Sequence, residues 1–591
     1  KLLQVLLALF ACTFLPLYAA DLSDLSYTTT GGKVTITACN TAATGELVIL
    51  NTIEGNPVTS IGTFAFKDCS SLTSITIPDG VNSVGLGVFH DCSSLTSITI
   101  PDSVTSIGDW AFYNCTNLTS ITIPDGVKSI GLGVFHDCTS LTKITIPDSV
   151  TSIGAQAFGD CSSLTNITIP DGVTSMGLGV FGGCISLTNI TIPNGVTSIG
   201  DWAFYNCTNL ASITIPDGVT SIGLGVFHDC ASLTNITIPD GVISIGDYTF
   251  DNCSSLTGIT IPDSVTSIGD WAFYNCTNLT NITIPDSVTS LGLGLFHDCT
   301  SLTSITIPDG VTSIENDAFF QCSSLTSITI PDSVTSIGER AFYNCTKLTN
   351  ITIPDSVTSI GLGVFHDCTN LTSITIPDGV TSIENDAFFQ CSSLTSITIP
   401  DSVTSIGERA FGYCTSLTSI IFQGAAPTVG INAFSDVADG AEAIVTIEVK
   451  ASFGVSGEKW NNLTVRSSAA SPQLLEVQLA QMTAERDAAI AERDAALAER
   501  DALPTQASYD TAITERDARF TEDQIHAMSA DSTIGMNDEG NVEMKINFFE
   551  SADLVTFAPF TVTPESVSVV DGNIWLEFTS KDAAFFRFSL R

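Results

Sequence analysis

LTSITIPDGVKSIGLGVFHDCTS, residues 118–140, decides how this chain folds, because near-copies precede and follow it in strict register. Cysteine falls at 69, 92, 115 and onward to 414, sixteen positions with a step of 23, and proline keeps that step from Pro78 to Pro400. A unit this short closes no core by itself, so its apolar side must stack on its neighbours. Within it, Ile121 and Ile123 lie two apart and face inward from a short strand, leaving Ser120 and Thr122 outward. Pro124, lacking a ladder donor, ends the strand. IPDG then reads as a type I turn with proline second and glycine fourth. Val127 and Ile130 return to the interior, Gly131 permits a bend, and Val134, Phe135 and Cys138 fill the far side through a short helical or 3₁₀ turn. The expected fold is a β-rich repeat solenoid with one coil per unit. Residues 313–345 recur almost unchanged at 382–414, three units on, the mark of a duplicated block.

The rest of the composition follows from this unit. Among 591 residues, 20 Lys plus Arg stand against 63 Asp plus Glu, a net charge of −43 that repels phosphate backbones and anionic lipid and excludes nucleic acid as a partner. Apolar residues reach 43%, too many for a disordered acidic chain. Charged residues are only 14%, because a charge on an uninterrupted isoleucine column would be buried unpaired.

CTNLTSITIPDGVKSIGLGVFHDC, residues 115–138, with its variant at Ala111–Phe112 and Ala341–Phe342, resembles the BspA-like leucine-rich repeat. ELVILNTIEGNPVTSIGTFAF from Glu46 resembles that family's N-terminal entry, and FQGAAPTVGINAF, 422–434, its closing repeat. The resemblance spans about residues 56–422. It implies a secreted or surface protein of bacterial or protist type that binds proteins or surfaces, with adhesion as the associated role, and it supplies no catalytic residue.

Outside the repeat, residues 1–20 read as a secretory signal peptide: Lys1, an apolar run from Leu2 to about Phe14, then Ala19 and Ala20. No other stretch approaches a membrane span. Residues 21–55 form an N-terminal cap, 56–422 the solenoid of about sixteen coils, and 423–466 its C-terminal cap. Residues 467–505 hold a linker and three heptads, AERDAAI, AERDAAL and AERDAL, whose alanines at 484, 488, 491, 495, 498 and 502 suit a spacer helix or weak self-association through 484–503. Residues 506–591 contain a small β module, with Asp571-Gly572-Asn573 as a hairpin turn.

A repeat turns each position into a column, and function is sought in columns. The cysteine column reads as free, buried thiols in a tight turn, although adjacent positions also suit disulfide spacing. Asp follows Pro in nearly every unit, including Asp102, Asp125, Asp148 and Asp171. These carboxylates read as turn residues bonding local amides, or as a row that weakly gathers Ca²⁺. His90, His136, His228, His297 and His366 read as solvated turn histidines, spaced too widely to share a zinc ion. Trp110, Trp202 and Trp271 lie two residues before the buried phenylalanine and serve as anchors for a partner or as edge packing. The outward strand columns, Ser120, Lys143 and Asn166 beside Thr122, Thr145 and Thr168, form a hydroxyl-rich face on which a protein or glycan would bind.

No paired acid and base, no GxSxG, no phosphate loop and no Cys–His constellation stands outside these columns, so the chain reads as no enzyme and as needing no cofactor. Two functions fit: extracellular recognition or adhesion through the solenoid, or a structural spacer or matrix protein, stiffened by cations, that displays the C-terminal module.

Overall fold

The computed structural model describes residues 19–446 and 449–467 in full, and the backbone of five short strands beyond them. The chain divides into two compact units, residues 1–471 and 472–591. The expected leader up to residue 18 and the heptad segment 484–503 lie outside the described residues.

The first unit is the solenoid. Most coils contribute a three-residue strand such as Ser120–Thr122, reduced around Asn166 to a lone Thr168–Thr191 bridge, and a two-residue strand such as Ser129–Ile130. Both pair in parallel with the same positions of the next coil, Ile121 with Ile144 and Ile130 with Ile153. Register is therefore set by the unit length, and a slip of one residue would turn every isoleucine out to solvent. Ile121, Ile123, Val127, Ile130, Val134, Phe135, Cys138 and Leu141 are all buried, as the pattern predicts. Seventeen phenylalanines from Phe66 to Phe434, one per coil, stack ring on ring with centroids 5.1–5.7 Å apart. Each such ring pair adds roughly 0.5–1.5 kcal/mol beyond the area it buries.

Two local readings change. The turn after the strand closes through a bond from the Val127 amide to the Pro124 carbonyl, which puts proline first and glycine third. Proline has no amide to give, but its carbonyl is free to accept once the strand has ended. The far side contains no helix: it is a run of turns whose amides reach the next coil, Trp110 to Leu132, Phe112 to Val134 and Asn114 to His136. Trp110 and Asn114 hold positive φ, 58° and 55°, which breaks any helical run and aims alternate amides along the stack.

The ends differ from the middle. At the N-terminus, Leu25–Thr30 and Lys33–Cys39 form an antiparallel hairpin whose second strand starts one parallel ladder, while Thr44–Val48 starts the other. At the C-terminus the ladder continues through Glu442–Val445 and Leu463–Ser467, so the segment read as a cap extends the same sheet. In the second unit, Ser532–Met536 pairs with Val542–Ile546, and Val567–Val570 pairs with Asn573–Leu576, with Val570 opposite Asn573. Arg587–Ser589 adds a third strand to the latter pair.

Candidate functional site

The two outward columns of the strand side come together as expected. Ser120, Thr122, Lys143, Thr145, Asn166 and Thr168 are exposed, and Thr122 lies in register with Thr145. Neighbouring hydroxyl columns are spent on the stack itself: Thr142 Oγ1 donates to the Thr119 carbonyl at 3.1 Å, and Ser149 Oγ to the Val127 carbonyl at 2.6 Å. Among the described residues no such bond engages the side chains of Ser120, Thr122, Lys143, Thr145 or Thr168. Asn166 reaches only the adjacent Thr165 hydroxyl, at 3.3 Å. The strand side thus carries rows of unspent donors and acceptors. Farther along the same columns, Asn281, Thr283, Ser304, Thr306, Ser327 and Thr329 border a shallow depression of about 350 Å³, floored by Ile282, Ile305 and Ile328.

Trp110, Trp202 and Trp271 are not on that side. They sit in the turn segment, half-buried, at positive φ near 58°. Each indole lies over a glycine of the next coil: a Cβ on Gly133, Gly225 or Gly294 would come within 2.1–2.3 Å of the ring above it. The carboxylate before each does the same, Asp109 Oδ1 accepting from the Leu132 amide at 2.8 Å, Asp201 Oδ1 from the Leu224 amide at 2.9 Å and Asp270 Oδ1 from the Leu293 amide at 2.8 Å. Only glycine at 131 and 223 leaves room for it. This explains a rule visible in the sequence but not read from it: every GDW coil is followed by a GLG coil. These tryptophans are packed covers first, with one edge left to solvent.

The histidines are not solvated. Their side chains are 15–22% exposed, and each Nδ1 faces the following aspartate, at 2.7–3.1 Å. Rings from adjacent coils cover them. Tyr274, His297, Phe320, Tyr343, His366 and Phe389 form one continuous row with centroids 4.3–5.0 Å apart. Phe320 and Phe389 were missed as members, although both fall on the 23-residue step of His297 and Tyr343. Arg340 and Arg409 lie over Phe320 and Phe389 and bond Asp317 and Asp386, at 3.1 and 3.0 Å.

The same motif titrates in opposite directions according to what lies next to it. Burial pushes His228 down, but the hydrogen bond and charge of buried Asp251, 3.1 Å from Nε2, together with Asp229, carry it above the ordinary histidine value. At His297 burial wins and the value falls, with Arg340 adding to the effect.

The aspartate row Asp102, Asp125, Asp148 and Asp171 is exposed at the turns, and these side chains make no local hydrogen bond; the backbone closes the turn without them. Among the described residues, the one His/Asp group whose ligand atoms converge within 4.8 Å is His136, Asp137 and Asp160, away from that row. Each buried cysteine from Cys92 to Cys414 is a free thiol whose Sγ donates to the phenylalanine carbonyl 26 residues earlier, 3.1–3.3 Å away. Burial pushes Cys414 up to about 12, and the column is chemically quiet. No helix among the described residues is long and apolar enough to cross a membrane.

Comparison with known proteins places this geometry. A family model described as a BspA type leucine rich repeat region, of six copies, matches residues 49–163, 128–253, 220–349 and 335–451. A leucine-rich repeat protein from Bacteroides ovatus is 29% identical, covering 75% of this chain and 98% of its own, with a TM-score of 0.50. A leucine rich cell surface protein from Faecalibacterium prausnitzii is 31% identical over 68% of this chain and 94% of its own, with a TM-score of 0.35. No curated protein matches the chain.

Proposed function

Since the chain belongs to the BspA-type leucine-rich repeat family, we propose that it is a non-catalytic recognition protein working outside the cell, by adhesion to a protein or glycan held against the strand side of its solenoid. The observation that carries this is the contrast among hydroxyl columns. Those that the stack needs are bonded, while Ser120, Thr122 and their in-register counterparts keep their hydrogen-bonding capacity for something else. A flat array of such groups, repeated at the strand spacing of about 4.8 Å, suits an extended ligand with many weak polar contacts. The net charge of −43 favours one that is neutral or basic. Export is supported by the apolar run at Leu2–Phe14.

The test uses the full chain on a glycan array and on a cell-attachment assay, beside a variant carrying Thr283→Arg and Thr306→Arg in the depression. Binding by the parent, weakened at least about tenfold in the variant, supports the strand side. Equal binding by both sinks it, and attachment that maps to residues 506–591 instead favours the spacer reading.

A further inference from the structure

Cys69 begins the cysteine column and has no phenylalanine carbonyl of a preceding coil to donate to. The N-terminal cap supplies a substitute: Cys69 Sγ donates to the Asn40 carbonyl at 3.8 Å, and Cys39 Sγ donates to the same oxygen at 3.6 Å. The two sulfurs therefore converge on one acceptor oxygen. Cys39 ends the second strand of the hairpin and is half-buried, whereas every other described cysteine is buried. The pair therefore joins one sulfur that solvent reaches to one held inside the first coil. Asn40 is fastened to the cap in turn, its amide to the Asp24 carbonyl at 2.7 Å and its side chain to the Asp24 carboxylate at 3.1 Å.

We propose that Cys39 and Cys69 are a disulfide site that staples the N-terminal cap to the first coil when the protein meets a small-molecule disulfide. The half-buried sulfur of Cys39, once it has lost its proton, attacks the disulfide RSSR, forming a Cys39–SR bond and releasing RS⁻. Cys69, giving up its proton, then displaces the second RS⁻ and forms the Cys39–Cys69 bond. The cysteine pair loses two electrons and two protons, and RSSR leaves as two RSH. The rest of the column stays out of this chemistry, because every thiol from Cys92 to Cys414 is buried and none shares its acceptor with a half-buried sulfur as Cys69 does. The bond closes residues 40–68 into a loop containing Thr44–Val48, the strand that starts one of the two ladders. It acts where the first coil packs against the cap in place of another repeat.

The purified full chain is incubated with oxidised glutathione, denatured, alkylated, digested and analysed by mass spectrometry. The expected product joins the Cys39 and Cys69 peptides, lighter than the reduced pair by two hydrogens, with Cys92 to Cys414 fully alkylated. Cys39→Ser is expected to leave Cys69 fully alkylated, and the oxidised parent is expected to resist proteolytic cleavage within residues 40–68 severalfold better than the reduced one. Recovery of Cys39 as a glutathione adduct with Cys69 alkylated, a Cys12–Cys39 link, or equal cleavage of the two forms overturns the proposal. None of these readouts on the parent chain depends on the variant folding.

Discussion

The strand side and the turn side of the solenoid are made from the same number of repeats, yet they obey different rules. On the strand side the backbone makes the ladder and the side chains point away, so the same Ser-Ile-Thr serves in coil after coil. On the turn side the side chains lean over the next coil, so residues must be chosen in pairs along the stack: Trp202 over Gly225, Arg340 with Asp317, His228 with Asp251. Repetition alone stabilises the first side, and complementarity between neighbours stabilises the second. Both rest on the central column of phenylalanines.

That column gives the largest expected effect. Phe227→Ala opens the ring stack between Phe204 and Phe250 and is expected to cost about 3–5 kcal/mol in denaturant unfolding. A loss no greater than that of a surface substitution would show that the stack is not the common support. Next comes the pairing rule. Gly225→Ala drives a methyl into the Trp202 ring from a backbone at φ 58° and is expected to cost about 1–3 kcal/mol. Adding Trp202→Ala should return part of that loss, and strictly additive costs in a double-mutant cycle would break the pairing account.

Smaller, and opposite in sign at two places, is the effect of pH. The value of His228 is raised in the fold, so its protonated form stabilises below the unfolded value of about 6.5, and this contribution fades as pH rises through the folded value. His297 is lowered, so below about 6.5 the unfolded chain takes up the proton more readily and stability falls. His228→Gln is therefore expected to lose more stability at about pH 5 than at about pH 8, and His297→Gln to lose less at about pH 5 than at about pH 8. Matching pH profiles for the two variants would show that Asp251 at His228 and burial at His297 do not set the difference. Least of all, Thr145→Ala on the strand side is expected to change stability by no more than about 0.5 kcal/mol, because its hydroxyl bonds nothing in the stack. A larger loss would erase the contrast between the sides.

Most of the interior was legible in advance. Ile121, Ile123, Val127, Phe135 and Cys138 are buried where period and spacing put them, because burial in a stack is decided within one unit. What escaped was decided between units. The histidines looked solvated when HDC was read along the chain, and only the neighbouring coil shows that Tyr343 and Phe389 cover His366. For the tryptophans, anchor and edge packing both stood open until the following GLG was set beneath them. The proline turn was misplaced by one residue for a plainer reason: PDG fits a type I template in two frames, and the carbonyl of Pro124 chose the one not taken. The hydroxyl-rich strand columns lie where the spacing put them, exposed and in register.

One consequence of matched interfaces concerns length. The junction at Phe320, Arg340 and Asp317 is reproduced three coils later by Phe389, Arg409 and Asp386. A crossover between the two encoding stretches would remove or add three whole coils and still join surfaces that fit. The molecule's span is in this sense a countable quantity: relatives of this chain are free to grow or shorten by fixed steps, reaching farther or less far without redesigning a single contact.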